Sequence, residues 1–230
     1  MSSMEESQFT RTAMLLGEAA ISKLRQSHVA VFGVGGVGGY VVEVLARSGI
    51  GTLHLIDNDL VSITNLNRQL VALHSTIGQY KVDVAAQRIQ DINPDCHVVT
   101  HRMFYLPENA DEIDLTQFDY IVDCIDTIAA KVELARRCYE AKIPLLCCMG
   151  AANKMNPTAF RVTDISKTQM DPLARVMRRK LKDLNIPHLK CVWSDEQPVC
   201  HTTPPASNAF VPAAAGLVAG GQVVKDLIAY

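Results

Sequence analysis

The stretch His28-Val-Ala-Val-Phe32, running straight into Gly33-Val-Gly35-Gly36-Val-Gly38, decides the fold. A short apolar run of this kind reads as a buried strand. The glycines then let the backbone turn tightly and approach a ligand closely, and helical spacing follows over 40–48. A second strand spans 52–56, and Asp57 ends it, 19 residues after Gly38. Strand, glycine turn, helix, strand and acid in this order form a nucleotide-binding crossover. Free amides at the helix start face phosphate, and the acid can bond ribose hydroxyls. Gly33, Gly35, Gly36, Gly38 and Asp57 are therefore candidate nucleotide contacts. The motif alone fits a nicotinamide dehydrogenase better than an ATP enzyme, and glycines can also serve only the turn.

Outward from this unit the alternation continues. A helix is predicted over 79–91, stopped by Asn93-Pro94, then strands over 96–101 and 118–123, a helix over 127–141 and an apolar strand over 144–149. Strands separated by helix-length segments predict an α/β fold, Rossmann-like, with a mostly parallel sheet and helices on both faces. The rhythm changes after Gly150, with a strand over 159–164, a charged helix over 171–184 and a proline-rich loop. Residues 1–150 are thus expected to form a nucleotide-binding core. Residues 151–230 are expected to form a substrate region whose last helix packs on that core. That apolar helix, 210–228, contains Pro212, glycines, Lys225 and Asp226, which favours a packed helix over a membrane span.

Composition narrows the function classes. The net charge of −2 argues against a chain built wholly around nucleic acid, without excluding a local basic face. Seven cysteines, an odd number with no CxxC pair, argue against a disulfide framework and for a reducing cytoplasm. The polar, acidic opening carries no signal-peptide pattern.

The residues after Asp57 turn the preference from dinucleotide to triphosphate. Asn65-Leu-Asn67-Arg68-Gln69 is followed by Gly78-Gln-Tyr-Lys81 at a helix start. Hydride transfer needs few cations there, whereas Arg68 and Lys81 could neutralise a phosphate chain whose leaving group is pyrophosphate. Asp123-Cys-Ile-Asp126 ends the fourth strand at the carboxyl edge of the sheet, and a carboxylate there suits magnesium held jointly with phosphates. Singly, each has a plainer explanation: Lys81 as a solvated helix residue, Asp126 as a helix N-cap, Asn65 as a turn former.

Together these residues resemble the adenylation domain shared by ubiquitin-activating enzymes and the bacterial molybdopterin- and thiamine-pathway adenylyltransferases. The resemblance implies that ATP is coupled to a carboxylate, giving an acyl-adenylate and pyrophosphate. It implies that Gly36 and Asp57 hold adenosine, that Asn65, Arg68 and Lys81 contact phosphates, with Asn67 in the same cofactor-binding set, and that Asp126 serves Mg2+. Phe9-Thr-Arg11 also matches, making Arg11 a catalytic residue offered across a homodimer; a surface arginine is the alternative.

Within that superfamily, Arg11-Thr-Ala-Met-Leu-Leu-Gly-Glu18, Ala46-Arg-Ser-Gly49, Ile56-Asp-Asn-Asp59, Asp91-Ile-Asn-Pro94 and Val162-Thr-Asp-Ile-Ser-Lys-Thr-Gln-Met-Asp-Pro-Leu-Ala174 resemble a tRNA-modifying branch. Its members cyclise, with loss of water, a threonylcarbamoyl group on the adenosine beside the anticodon. The segment after Pro187, through Val192-Trp-Ser-Asp-Glu196, is shorter than in longer members. The resemblance implies tRNA as partner, with sulfur-relay or cysteine-desulfurase proteins as further partners of some relatives. A helical wheel agrees: Leu173, Val176, Met177, Leu181 and Leu184 share one face, and Arg175, Arg178, Arg179 and Lys182 the other. The basic face could bind tRNA phosphates or simply be solvated. Cys147, Cys148, Cys191 and Cys200 read mainly as small core residues, although Cys191 or Cys200, if it lies in a mobile loop, could be reactive. The alternative function is an adenylyltransferase acting on the C-terminus of a sulfur-carrier or ubiquitin-like protein; a nicotinamide oxidoreductase is the third.

Overall fold

The computed structural model describes residues 6–230; Met1 to Glu5, part of the opening without a leader pattern, lie outside the described residues. Seven strands form one sheet: β1 (His28–Phe32), β2 (Thr52–Ile56), β3 (His97–His101), β4 (Tyr120–Asp123), β5 (Leu145–Cys148), β6 (Phe160–Asp164) and β7 (Lys190–Ser194). Their spatial order is β3-β2-β1-β4-β5-β7-β6. Every pairing is parallel except that of the edge strand β6 with β7.

The period-2 alternation of a strand divides the side chains between two cores. Val29 and Val31 of β1 enter one, while Ala30 and Phe32 enter the other. The first core is covered by α2 (Glu18–Arg25), α3 (Gly38–Ser48), α4 (Lys81–Ile92) and α7 (Val211–Leu227); the second by α5 (Ile128–Ala141) and α6 (Pro172–Asp183). A short α1 (Thr10–Leu16) precedes α2, broken from it at Gly17, whose φ is +88°. The strand order reverses between β1 and β4, and ligands of open α/β sheets bind at the carboxyl ends of strands at such a switch point.

Residues 151–230 are woven into the same sheet. β7 was not expected, because a five-residue strand following Pro187 has little periodicity to show. It lies between β5 and β6, pairing Leu146 with Lys190 and Val162 with Val192. The last helix packs on α3 at very short range. A Cβ on Gly216 would sit 2.4 Å from the Val37 carbonyl oxygen, and one on Gly220 would sit 2.7 Å from Val44 Cβ. Among the described residues no helix is long and apolar enough to cross a membrane.

Helix α6 starts where its caps dictate. Asp171 Oδ1 accepts the Ala174 N–H at 2.9 Å, and Pro172 takes the first helical position. Its buried stripe is Ala174, Met177 and Leu181. Leu184, expected on that stripe, is the C-cap and is 40% exposed, since the helix ends before it can turn inward.

Candidate nucleotide site

A cavity of about 510 Å3 opens at the switch point, lined by the glycine turn, the end of β2, the 65–69 segment, Lys81, the 124–126 turn and the chain just after β5. The glycines of the turn beside it have different reasons. Gly33 has φ +87°, and its Cβ would lie 2.7 Å from the Cys124 carbonyl oxygen. A Cβ on Gly38 would lie 1.8 Å from the Gly33 carbonyl oxygen. Both are demanded by the turn itself. Gly35 is different: its φ is not positive, and the nearest atom to a Cβ there is Gln69 Nε2 at 3.9 Å. The chain's own conformation and packing do not require glycine at 35. A Cβ on Gly36 would lie 3.4 Å from the Arg68 side chain and 3.3 Å from Pro212 of α7.

Asp57 is fixed by the loops it joins. Its Oδ2 accepts the Val34 N–H at 2.7 Å, and its Oδ1 the Asp59 N–H at 2.8 Å. Burial pushes its carboxyl upward, against those N–H bonds and the Lys81 charge. Lys81 is only 5% exposed, so the solvated-helix explanation fails; its ammonium lies 2.6 Å from Asp59 Oδ2. Arg68 donates to the Thr64 carbonyl at 3.0 Å and to Asn67 Oδ1 at 2.9 Å, neither a carboxylate. Asn65 is buried and also forms the turn, its Oδ1 accepting the Ser62 N–H at 3.0 Å.

Asp126 lies exposed on the cavity lining, with one long bond of 3.4 Å from the Thr127 hydroxyl. Thr127 is the N-cap of α5, so Asp126 is not a capping residue. Among the described residues no group of three metal-ligating side chains is present. Magnesium is commonly held by one or two carboxylates together with substrate phosphates, and an exposed Asp126 on the lining of this cavity fits that mode.

The structure thus brings Gly33, Gly35, Gly36, Asp57, Asn65, Arg68, Lys81 and Asp126 to one cavity. Gly38 and Asn67 stand behind its wall. Asn67 Nδ2 donates to the Ser207 carbonyl at 3.0 Å, tying the Arg68 turn to a loop that closes the cavity. Arg11 is exposed on α1 and does not line this cavity. On α6, Arg175, Arg179 and Lys182 are exposed, whereas Arg178 is half-buried and donates to the Thr168 carbonyl and hydroxyl. Leu173, from the first turn of the same helix, lines the cavity.

Two residues emerge that sequence reasoning passed over. Gln69 lines the cavity wall beside Gly35. Lys131 is fully buried, and its ammonium meets Asp123 Oδ2 at 3.0 Å and the carbonyls of Ile125 and Cys148 at 3.1 and 2.9 Å. Burial alone would lower its pKa, but the Asp123 charge outweighs that and holds it above its ordinary value. Its spacing to Leu134, Ala135 and Cys138 puts it on the apolar stripe of α5, which was the available signal. Cys191 follows the core reading and rules out the loop alternative. It sits in β7, not a loop, and burial pushes its thiol up to about 12, the opposite of a reactive thiol. Cys200 remains on a loop, half-buried, with its thiol 3.5 Å from Asn153 Oδ1.

Comparison with known proteins agrees with this geometry. The model of the ThiF family matches residues 9–228. The tRNA threonylcarbamoyladenosine dehydratase of Bacillus subtilis is 45% identical over 96% of this chain and 94% of its own. Crystal structures of the E. coli tRNA N6-threonylcarbamoyladenosine dehydratase cover 96% of this chain and 94% of theirs. The AMP complex is 38% identical with a TM-score of 0.92, and the ATP complex 37% identical with a TM-score of 0.90.

Proposed function

This chain belongs to the ThiF family, and from that premise we propose that it is an ATP-dependent tRNA-modifying dehydratase. It adenylates the threonine carboxylate of threonylcarbamoyladenosine next to the anticodon and closes it into a ring with loss of water. The observation that carries the reading is that Arg68, Lys81 and Asp126 line one cavity together with Gly33, Gly35 and Gly36. That arrangement suits a triphosphate rather than a nicotinamide.

The carboxylate attacks the α-phosphorus of ATP, forming an acyl–O–P bond as the bond to pyrophosphate breaks. Arg68 and Lys81 would stabilise the negative charge leaving with pyrophosphate. Asp126 would hold a magnesium ion against the phosphates, which supplies further charge neutralisation. Asp57 would bind the ribose hydroxyls, and Gly35 and Gly36 would let the nucleotide lie against the backbone. A nitrogen or oxygen of the ureido group, tethered beside the activated carbonyl, then attacks it and expels AMP. AMP carries away the carboxylate oxygen, so ATP hydrolysis balances the loss of water. No covalent enzyme intermediate is needed.

The same proposal assigns residues 151–230 a substrate role. What supports it is that Leu173 lines the cavity while Arg175, Arg179 and Lys182 of the same helix are exposed. It includes a homodimer in which Arg11 reaches the partner's cavity, and a cytoplasmic location, where tRNA is found. Sulfur-relay or cysteine-desulfurase proteins enter only as binding partners, since the chemistry transfers no sulfur. An adenylyltransferase for a carrier protein is less favoured, because the near-full-length relative of highest identity above is the tRNA enzyme.

The test incubates the protein with ATP, magnesium and tRNA bearing threonylcarbamoyladenosine, then measures nucleoside masses after gentle digestion. A product lighter by one water, with one AMP formed, is expected. An unchanged nucleoside, with adenylation of a small carrier protein ending in Gly-Gly, would give the function to the alternative.

A further inference from the structure

Gln69 has a buried side chain with nothing to bond. It is 7% exposed and lines the cavity directly after Arg68. Its backbone is fully used: the N–H donates to the Asn65 carbonyl at 2.9 Å, and the carbonyl accepts the Ala72 N–H at 3.0 Å. The carboxamide is not. Its Oε1 is buried without a hydrogen-bond partner, one of two such side-chain atoms among the described residues. Its Nε2 is the nearest atom to the missing side chain of Gly35, at 3.9 Å from the Cβ position. Rotating the amide by half a turn would only exchange which end is left buried and unpaired.

Burying an unpaired amide is destabilising, and a methionine of similar length would fill the space without that penalty. Such groups persist in native folds where a ligand or water completes them. The ligand surface here is Gly35, the one glycine of the turn whose conformation and packing leave it free to carry a side chain. An amide N–H aimed over that surface meets whatever lies against the glycine backbone. In a cavity flanked by Arg68 and Lys81, that ligand is anionic.

We infer that Gln69 is a nucleotide-binding residue: its carboxamide donates through Nε2 to a non-bridging oxygen of the phosphate chain seated over Gly35. This rests on the ATP reading above and adds a neutral donor to the two cations. The residue is kept polar for the ligand at the expense of the empty chain's stability.

The experiment compares wild type with Gln69→Met in two measurements, thermal unfolding of the ligand-free protein and calorimetric titration with ATP and magnesium. The expected result is a melting temperature equal to or above wild type, together with ATP affinity weakened about tenfold or more, as for loss of a hydrogen bond to a charged group. Gln69→Glu, which places a carboxylate against phosphate, is expected to bind ATP more weakly still. A Met variant that binds ATP like wild type overturns this assignment and leaves the enzyme reading intact. A Met variant that melts lower overturns it too, by showing that the amide supports the fold. A wild type that binds no ATP overturns both.

Discussion

Lys81 opens helix α4, yet its ammonium lies 2.6 Å from Asp59 Oδ2 at the edge of the nucleotide cavity. A cation in the first turn of a helix opposes the helix dipole, and burying it adds a desolvation penalty. Folding gains little from lysine at this position, which supports the phosphate-binding role proposed for it. Lys81→Met is therefore expected to lower the rate of ATP–pyrophosphate exchange by about a hundredfold or more. Its melting temperature should stay within a few degrees of wild type. Exchange at the wild-type rate would remove Lys81 from the mechanism.

Asp126 makes a single long bond to the rest of the chain and caps nothing. Asp126→Ala should keep the wild-type circular dichroism and melting temperature while abolishing adenylation. Turnover by this variant at ordinary magnesium concentration would exclude the proposed metal role.

Arg11 is exposed on α1 and absent from its own cavity wall, which is the arrangement a residue acting in trans requires. Arg11→Ala and Asp126→Ala proteins should each be inactive. Mixed and allowed to exchange, they should regain part of the wild-type activity through hybrids with one intact site. Hybrids seen by native mass spectrometry but without activity would count against the shared site.

The outer face of α6 divides by burial. Reversing Arg175 and Arg179 to Glu should weaken tRNA binding across tRNA sequences and reduce the slope of log affinity against log salt by roughly two, leaving ATP affinity unchanged. Arg178→Glu should differ, because its guanidinium holds the Thr168 carbonyl and hydroxyl: it should also lower the melting temperature. Identical behaviour of the two variants in both assays would reject the division.

His54 predicts a pH response of the fold. It is buried between His101, with ring nitrogens 3.1 Å apart, and the edge of Phe118, and burial followed by the His101 charge pushes its pKa down to about 4. The unfolded chain, with an ordinary imidazole near 6.5, therefore takes up a proton first as pH falls. The resulting stability is fully present above about pH 6.5 and is lost progressively between there and about 4. Urea midpoints across that range should fall more steeply for wild type than for His54→Phe. Parallel curves would dismiss the effect.

The glycine fingerprint was legible because its spacing depends only on local geometry, and Gly33 and Gly38 are needed by the turn alone. Arg68, Lys81 and Asp126 could be assembled from order along the chain, since each follows a strand end on the same sheet edge. What the residues did not disclose is commitment through space. That Asp126 is free of capping, that Arg178 is tied to Thr168, and that the Gln69 amide lacks a partner each depend on atoms brought together only by folding. The β7 strand escaped notice because its sequence is short and its partners, Leu146 and Val162, lie far upstream. Lys131 was visible as a lysine on an apolar stripe, but its partner Asp123 comes from a different element.

The placement of β7 between β5 and β6 has a consequence during synthesis. On the ribosome β5 and β6 emerge well before Lys190–Ser194, so the edge of β5 stays open and β6 has no neighbour to pair with until that late segment appears. An unpaired parallel edge rich in apolar residues is a template for association with other chains. Chaperone demand for the nascent protein should therefore concentrate in the interval between the appearance of Cys148 and that of Ser194, and a chain arrested within it should aggregate through β5.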